Sequence, residues 1–280
     1  MVKLTSLFII IAIGASSLIA NAADIDVMEQ ARQNFAKGNF DKAIELYSTI
    51  PASSDFWLDA IEERAWSNTR LSQYEKALAD LHSVTSTVWS SQVGPETYML
   101  STFVSLKICA FKDVVKKMDI FKKRMLPRVD ALETLVLQPV PKEFWEMSEA
   151  IKRGQLTMAA LGQNAQKYPR YFYRDRELVN ALKANANAKA TARLKKLASQ
   201  DLKEIETNLK KMKIIEVEMI QKVLLADKDQ KNSKDELNFS KIDRDKTMVF
   251  PVTDEEVWID EVGHFQVKTD LCQSLTGKKL

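Results

Sequence analysis

The stretch Gly38-Asn39-Phe40-Asp41-Lys42-Ala43-Ile44 returns 34 residues later as Ser72-Gln73-Tyr74-Glu75-Lys76-Ala77-Leu78. Further positions agree at the same shift: Ala31 with Ala65, Tyr47 with Leu81, and Ile50 with Val84. A period of this length is one supersecondary unit that cannot bury its apolar face alone, so neighbouring copies must stack. The pattern within the unit is that of a helix–turn–helix. Ala31 and Ala65 are small where a first helix must approach a second, Gly38 or Ser72 ends the first helix, and Phe40 or Tyr74 fills the space beneath the turn. Ala43 and Ala77 repeat the close approach, and Tyr47, Ile50, Leu81 and Val84 fall on one face at helical spacing. With only 7 Gly and 7 Pro in 280 residues the chain is poor in turn residues, which favours helix throughout.

A degenerate third copy is expected at Phe111-Lys112-Asp113-Val114-Val115. Val114 follows Ala77 by 37 residues, so about three residues are inserted, most naturally within Thr85–Gly94 before Pro95-Glu96 restarts a helix. Ser53 and Ser54 are plausible caps for the second unit, with Asp55 suited to its positive end.

Through Phe40-Asp41-Lys42-Ala43 and Tyr74-Glu75-Lys76-Ala77 the chain resembles the tetratricopeptide repeat (TPR) family over about residues 27–125. Ser54-Asp55-Phe56-Trp57, Glu62-Glu63-Arg64-Ala65-Trp66 and Leu78-Ala79-Asp80-Leu81-His82 are similar to a narrower group of exported TPR proteins of Gram-negative bacteria. So is the tail from Phe250 to Cys272, with Trp258-Ile259-Asp260-Glu261-Val262-Gly263. The resemblance implies an all-α, TPR-like α-solenoid and export, and it implies no active site.

Residues 1–22 read as a cleavable leader. Lys3 is followed by an apolar run from Leu7 to Ala20 and by Ala20-Asn21-Ala22, with the cut expected before Ala23. The expected location is periplasmic or secreted. Such a compartment permits a disulfide between Cys109 and Cys272, although two independent thiols are the simpler expectation for a chain that can bury a core without a staple. Net charge is only +3, yet residues 24–100 carry 6 basic and 12 acidic groups while residues 170–224 carry 13 basic and 7 acidic. An acidic front half, net −6, thus precedes a basic back half, net +6. The two are read as solvated faces that attract each other, or else the basic segment meets an anionic surface.

Beyond the repeats, residues 126–226 read as a helical extension. Leu126 to Leu137 suggests a separate helix begun by Pro127, and Lys142 to Lys167 a single buried helix stopped at Tyr168-Pro169. Arg176 to Ala226 reads as one long helix, whose Leu194, Ala198, Leu202, Ile205, Leu209, Met212 and Met219 lie close to a heptad seam. That seam is expected to pack on residues 142–165 and the end of the repeats, with self-association through 194–224 as the alternative. Residues 227–246 read as a polar linker, and 247–280 as a short clasp of extended or β character that folds back on the helices. Trp258 and Phe265 are its candidate docking side chains.

Motifs of catalysis are missing from this pattern. His82 and His264 sit in no metal spacing, and no P-loop, G-x-G-x-x-G or G-x-S-x-G occurs. Asp227-Lys228-Asp229 starts like a calcium loop but has Asn232 where Gly is needed and Asn238 where Glu is needed. Glu143, Glu146 and Glu149 read as a wet helix face. The mixture of Tyr168, Tyr171, Phe172 and Tyr173 with Arg170, Arg174 and Arg176 could stack sugars or bases, but packing at a helix junction is the simpler reading. The expected function is therefore a non-enzymatic scaffold that binds a peptide or helix of another envelope protein, with no cofactor, no metal, no nucleic acid and no membrane span after cleavage. A coiled-coil structural protein is the alternative, and an envelope enzyme is the remaining one.

Overall fold

The computed structural model describes residues 23–231 and Cys272. The leader, the greater part of the linker and the clasp with Trp258 and Phe265 lie outside the described residues. Among the described residues every regular element is helical. The order is α1 (23–36), α2 (Phe40–Ser48), α3 (Trp57–Arg70), α4 (Tyr74–Thr85), α5 (Pro95–Lys107), α6 (Phe111–Leu137), α7 (Lys142–Lys152), α8 (Met158–Leu161), α9 (Arg176–Lys183) and α10 (Asn187–Lys231). Two short 3-10 turns, Gly162–Lys167 and Phe172–Arg174, separate α8 from α9. The chain is all-α.

One turn geometry recurs at the repeat period. Gly38, Ser72 and Cys109 all take the left-handed conformation, with φ of 80°, 59° and 58°. The residues that follow, Asn39, Gln73 and Ala110, are nearly superposable at φ/ψ of −82/63°, −83/64° and −78/63°. Each turn closes the preceding helix with the same two bonds. Gly38 N–H donates to the Phe35 carbonyl at 3.0 Å and Asn39 N–H to the Asn34 carbonyl at 2.9 Å; Ser72 and Gln73 repeat this onto Thr69 and Asn68, and Cys109 and Ala110 onto Leu106 and Ser105. This pair of bonds satisfies carbonyls that a helix end would leave orphaned. The third helix pair, α5 with α6, is therefore closed like the first two. Gly154 and Asn185 close α7 and α9 in the same way, with φ of 65° and 52°.

Consecutive helices are spatial neighbours from α2 through α6. Ala31, Ala43, Ala65 and Ala77 are fully buried, and Tyr47, Ile50, Leu81 and Val84 are in the core. The helix axes approach closely at these alanines, so a larger side chain there would force the pair apart. Ser54 Oγ accepts the Phe56 N–H at the start of α3 and donates to Asp24 of α1.

Three expected boundaries are corrected. Pro127 does not begin a helix; it lies inside α6. The buried positions Val114, Met118, Phe121, Met125, Arg128, Leu132 and Leu135 continue through it at alternating spacings of four and three, and that uninterrupted seam outweighs one missing N–H. Lys142–Lys167 is not one helix, because the left-handed turn at Gly154 ends α7 and Gly162 takes φ 51° after α8. Arg176–Ala226 is likewise broken at Asn185, after which α10 runs five residues past Ala226, through 227–231.

At about 1.5 Å per residue the 45 residues of α10 extend roughly 68 Å. Its Ala190, Leu194, Ala198, Ile205, Met212 and Ile215 are buried. The principal neighbours are α5, α6 and α9, rather than residues 142–165. It runs antiparallel to α6. Lys195 Nζ donates to the Val136 and Gln138 carbonyls at 2.9 and 2.8 Å, where α6 ends, and Asp201 pairs with Arg128, more than two turns upstream on α6, at 2.7 Å. A cation on terminal carbonyls is the favourable end for the helix dipole.

Candidate functional site

Asp55 precedes α3, and Asp59 and Glu62 follow at spacings of four and three, so the three carboxylates share one side of the helix. All three side chains are about nine-tenths buried, with 12%, 11% and 9% of their surface accessible. Carboxylates are buried to this degree only when paired. Their counter-charges come from more than a hundred residues downstream, in the segment Tyr168–Asp175.

Arg170 Nη2 lies 2.7 Å from Glu62 Oε2 and 3.6 Å from Asp59 Oδ1. Arg174 reaches Asp55 through Nε at 2.9 Å and Asp59 through Nη1 at 2.9 Å, and it also donates to the Asp55 backbone carbonyl. Asp55 further accepts the Tyr173 hydroxyl at 2.9 Å and the Met158 N–H at 2.8 Å. Two guanidiniums lie over the Tyr171 ring, that of Arg170 at 4.7 Å and that of Arg174 at 4.3 Å from its centroid. Arg174 also covers Phe56 at 4.1 Å. Tyr171 adopts φ 58°, which costs a bulky residue about 1–2 kcal/mol. Two cation–π contacts in a desolvated setting, each worth up to about 2 kcal/mol, offset that strain.

The opposite side of the same segment enters the core. Tyr168 and Phe172 pack on each other at 5.2 Å and on Phe144 of α7 at 6.2 and 6.1 Å. The Arg170 N–H donates to Asp201 of α10 at 2.8 Å, and that carboxylate also receives Arg128. Arg128 in turn donates to the Ala165 and Tyr168 carbonyls at 3.2 and 3.3 Å. Asp175 then caps α9 through the Leu178 N–H at 2.8 Å and binds Arg193 at 2.6 Å, a bond that holds its carboxyl below the usual range. Gly94 has room only for hydrogen on its outer side, since a Cβ there would stand 2.5 Å from Arg170 Nη1.

Two further carboxylates border this cluster, Glu96 of α5 and Glu204 of α10. Burial pushes both above the ordinary carboxylate range, and nearby carboxylates, Glu62 beside Glu96 and Asp201 beside Glu204, push the same way. Glu96 also interacts with Lys211 of α10 and accepts a hydrogen bond from Trp66. Burial alone disfavours charge on Arg170, but Glu62, Tyr171 and Asp59 together hold its guanidinium well above the ordinary value, so it stays a cation. Chemically the arrangement is a grip. The α3 carboxylates are committed to guanidinium and phenol donors, and the segment they hold is a tight, arginine- and tyrosine-rich peptide of the chain itself.

The residues singled out in the repeats are placed in the core, not at a surface. Ala31, Ala43, Tyr47, Ala65, Ala77 and Leu81 are buried, Gly38 makes its turn, and the half-buried Phe40 stacks edge-on against Phe35 at 5.3 Å. Tyr74 packs on the smaller cluster around Leu78, Leu100 and Ile108. Tyr47 donates to Glu63 at 2.8 Å, and Glu63 pairs with Arg32. Cys109 and Cys272, expected as independent thiols, are joined in a disulfide spanning 163 residues. Burial lowers the pKa of His82 on α4, and Lys117 of α6 adds to the effect. A shallow polar cleft of about 410 Å³ between Thr87–Ser91, Arg124 and Gln163 lies apart from the carboxylate cluster. Among the described residues, no group of three His, Cys, Asp or Glu is placed to hold a metal ion, and no helix is long and apolar enough to cross a membrane.

Nothing in the sequence singles out Arg128 or Asp201, and the Arg170/Arg174 segment does more than the junction packing its composition suggests. The clue available was the charge imbalance, since an acidic α3 and an arginine-rich segment need each other once both are desolvated. These features define an all-α protein of stacked helix pairs whose α3 face is occupied by its own chain. No family model, curated protein or solved structure matches it.

Proposed function

We propose that this protein is a non-enzymatic interaction scaffold of the tetratricopeptide type, exported to the cell envelope, that holds a segment of a partner protein. The observation that carries the reading is the grip on Tyr168–Asp175: stacked helix pairs bury a polar, aromatic peptide segment by matching carboxylates to arginines. That side of α3 is filled in cis, so a partner meets the array at its open end. There α1 exposes Ile25 together with Asp26 and Glu29, a surface suited to a basic peptide or helix with an apolar anchor.

A photoreactive residue in place of Ile25, used in intact cells, tests this. The expected result is a discrete protein adduct that is absent when the same residue replaces the exposed Leu137, and that weakens on Asp26→Lys with Glu29→Lys. Equal labelling from both positions, or none from Ile25, rejects the reading. The alternative, a protein that self-associates through 194–224, draws on the exposed Val217 and Leu224 of α10. Sedimentation at micromolar concentration decides it, because a single monomeric species removes that alternative.

A further inference from the structure

The distal part of α10 has two apolar sides. Met212 and Ile215 are buried against the body of the protein, whereas Ile214, Val217, Ile220 and Leu224 are 67%, 55%, 48% and 56% exposed. At about 100° per residue the second set forms a stripe on the side opposite the first. A contiguous apolar stripe on a charged helix marks a surface that is covered by something.

The chain's own path indicates the cover. Arg128 of α6 is level with Asp201 of α10, and the two helices are antiparallel. Cys109 stands just before α6, some 25–28 Å from Arg128 at the helical rise, and the same distance along α10 from Asp201 arrives at about residue 219. The Cys109–Cys272 disulfide, whose Cys272 Sγ is 3.6 Å from the Lys107 carbonyl, is therefore level with the middle of the stripe. The last residue of α10, Lys231, lies roughly 20 Å further on. Residues 232–271 must bring the chain back over that distance, and 40 residues have a reach of up to about 130 Å. That returning segment contains Phe250, Val257, Trp258, Ile259 and Phe265. Charge agrees. Residues 247–271 contain six acidic groups and one basic, net −5, while residues 209–224 contain four lysines and two glutamates, net +2. A second copy of α10 would instead oppose two surfaces of the same sign.

We infer that residues 247–271 of the same chain dock on the Ile214–Leu224 side of α10, held in register by the Cys109–Cys272 disulfide. A benzoylphenylalanine at Val217 of the full-length oxidised protein tests the assignment. Irradiation at low micromolar concentration is expected to give crosslinks at monomer mass that map to peptides within 247–271. Crosslinks at dimer mass that grow with concentration assign the stripe to a second copy and overturn the inference, as does the absence of adducts to 247–271. Val217→Asp with Leu224→Asp places charge only on exposed positions, so the fold is retained. It is expected to speed amide exchange in 247–271 by about tenfold or more, with α3–α6 unchanged. Unchanged exchange in 247–271 overturns the inference.

Discussion

Arg170→Met removes one cation from the α3 cluster while keeping its length and apolar stem. The guanidinium is 2.7 Å from Glu62 and 3.6 Å from Asp59, and only 15% of its side chain is accessible. With an effective dielectric of about 20, those two contacts are worth roughly 6 and 5 kcal/mol of gross attraction. Desolvating the ions consumes much of this, but the variant leaves the carboxylates buried and uncompensated, and breaking such a pair from one side costs about 3–5 kcal/mol. Urea unfolding of the oxidised protein at pH 7, followed by circular dichroism, is expected to show a loss of that size. The loss shrinks at pH 5, because Glu96 and Glu204, already held above the ordinary carboxylate range by burial, take up protons once Arg170 no longer opposes this. Combining Arg170→Met with Glu62→Leu is expected to be less damaging than the sum of the single changes by about 2 kcal/mol or more. A loss below about 1 kcal/mol, or strict additivity in the cycle, would refute the assignment of Arg170 as the charge that holds this segment on α3.

Other outcomes follow from the turns, a buried lysine and the disulfide. Ser72→Gly relieves a left-handed non-glycine and is expected to stabilise by about 1 kcal/mol, whereas Gly38→Ala, at φ 80°, is expected to destabilise by a similar amount; thermal unfolding compares them. Burial lowers the Lys117 ammonium to about 8, even though it donates to Ser105 Oγ at 2.8 Å. Between pH 8 and about 9.5 the unfolded chain keeps a proton that the folded one has released, so this lysine makes stability rise with pH there; nearer pH 10 the buried Tyr47, Tyr98 and Tyr173, whose phenols burial holds above their ordinary value, act in the opposite direction. Lys117→Met abolishes the rise, and a pH-independent wild type would contradict the assignment. Reducing Cys109–Cys272 opens a loop of 163 residues, for which the chain-entropy limit is about 5 kcal/mol. Protein isolated from an oxidising compartment is expected to carry no thiol reactive to Ellman's reagent and to lose several kcal/mol on reduction. Gly94→Ala drives a Cβ into Arg170 and is expected to cost about 1–3 kcal/mol, read by the same urea titration.

Local rules in the sequence determined the helix pairs. The spacing of Ala31, Ala43, Ala65 and Ala77 and the turns at Gly38 and Ser72 depend on interactions within a few residues, which a 34-residue period displays directly. The third turn at Cys109 was legible only through its neighbour Phe111, because nothing about a cysteine announces a left-handed turn. The same holds for Asn185, where a short polar residue broke what the apolar pattern drew as one helix. The tertiary structure alone decided that Pro127 is carried inside α6, that Arg170 and Arg174 reach α3 across 108–119 residues, and that Cys109 meets Cys272. A window of sequence reports which face of a helix is apolar, but not which other helix that face will meet. That choice is made by the summed packing and desolvation of distant elements, where a carboxylate on α3 becomes tolerable only because an arginine from the far end of the fold is delivered to it.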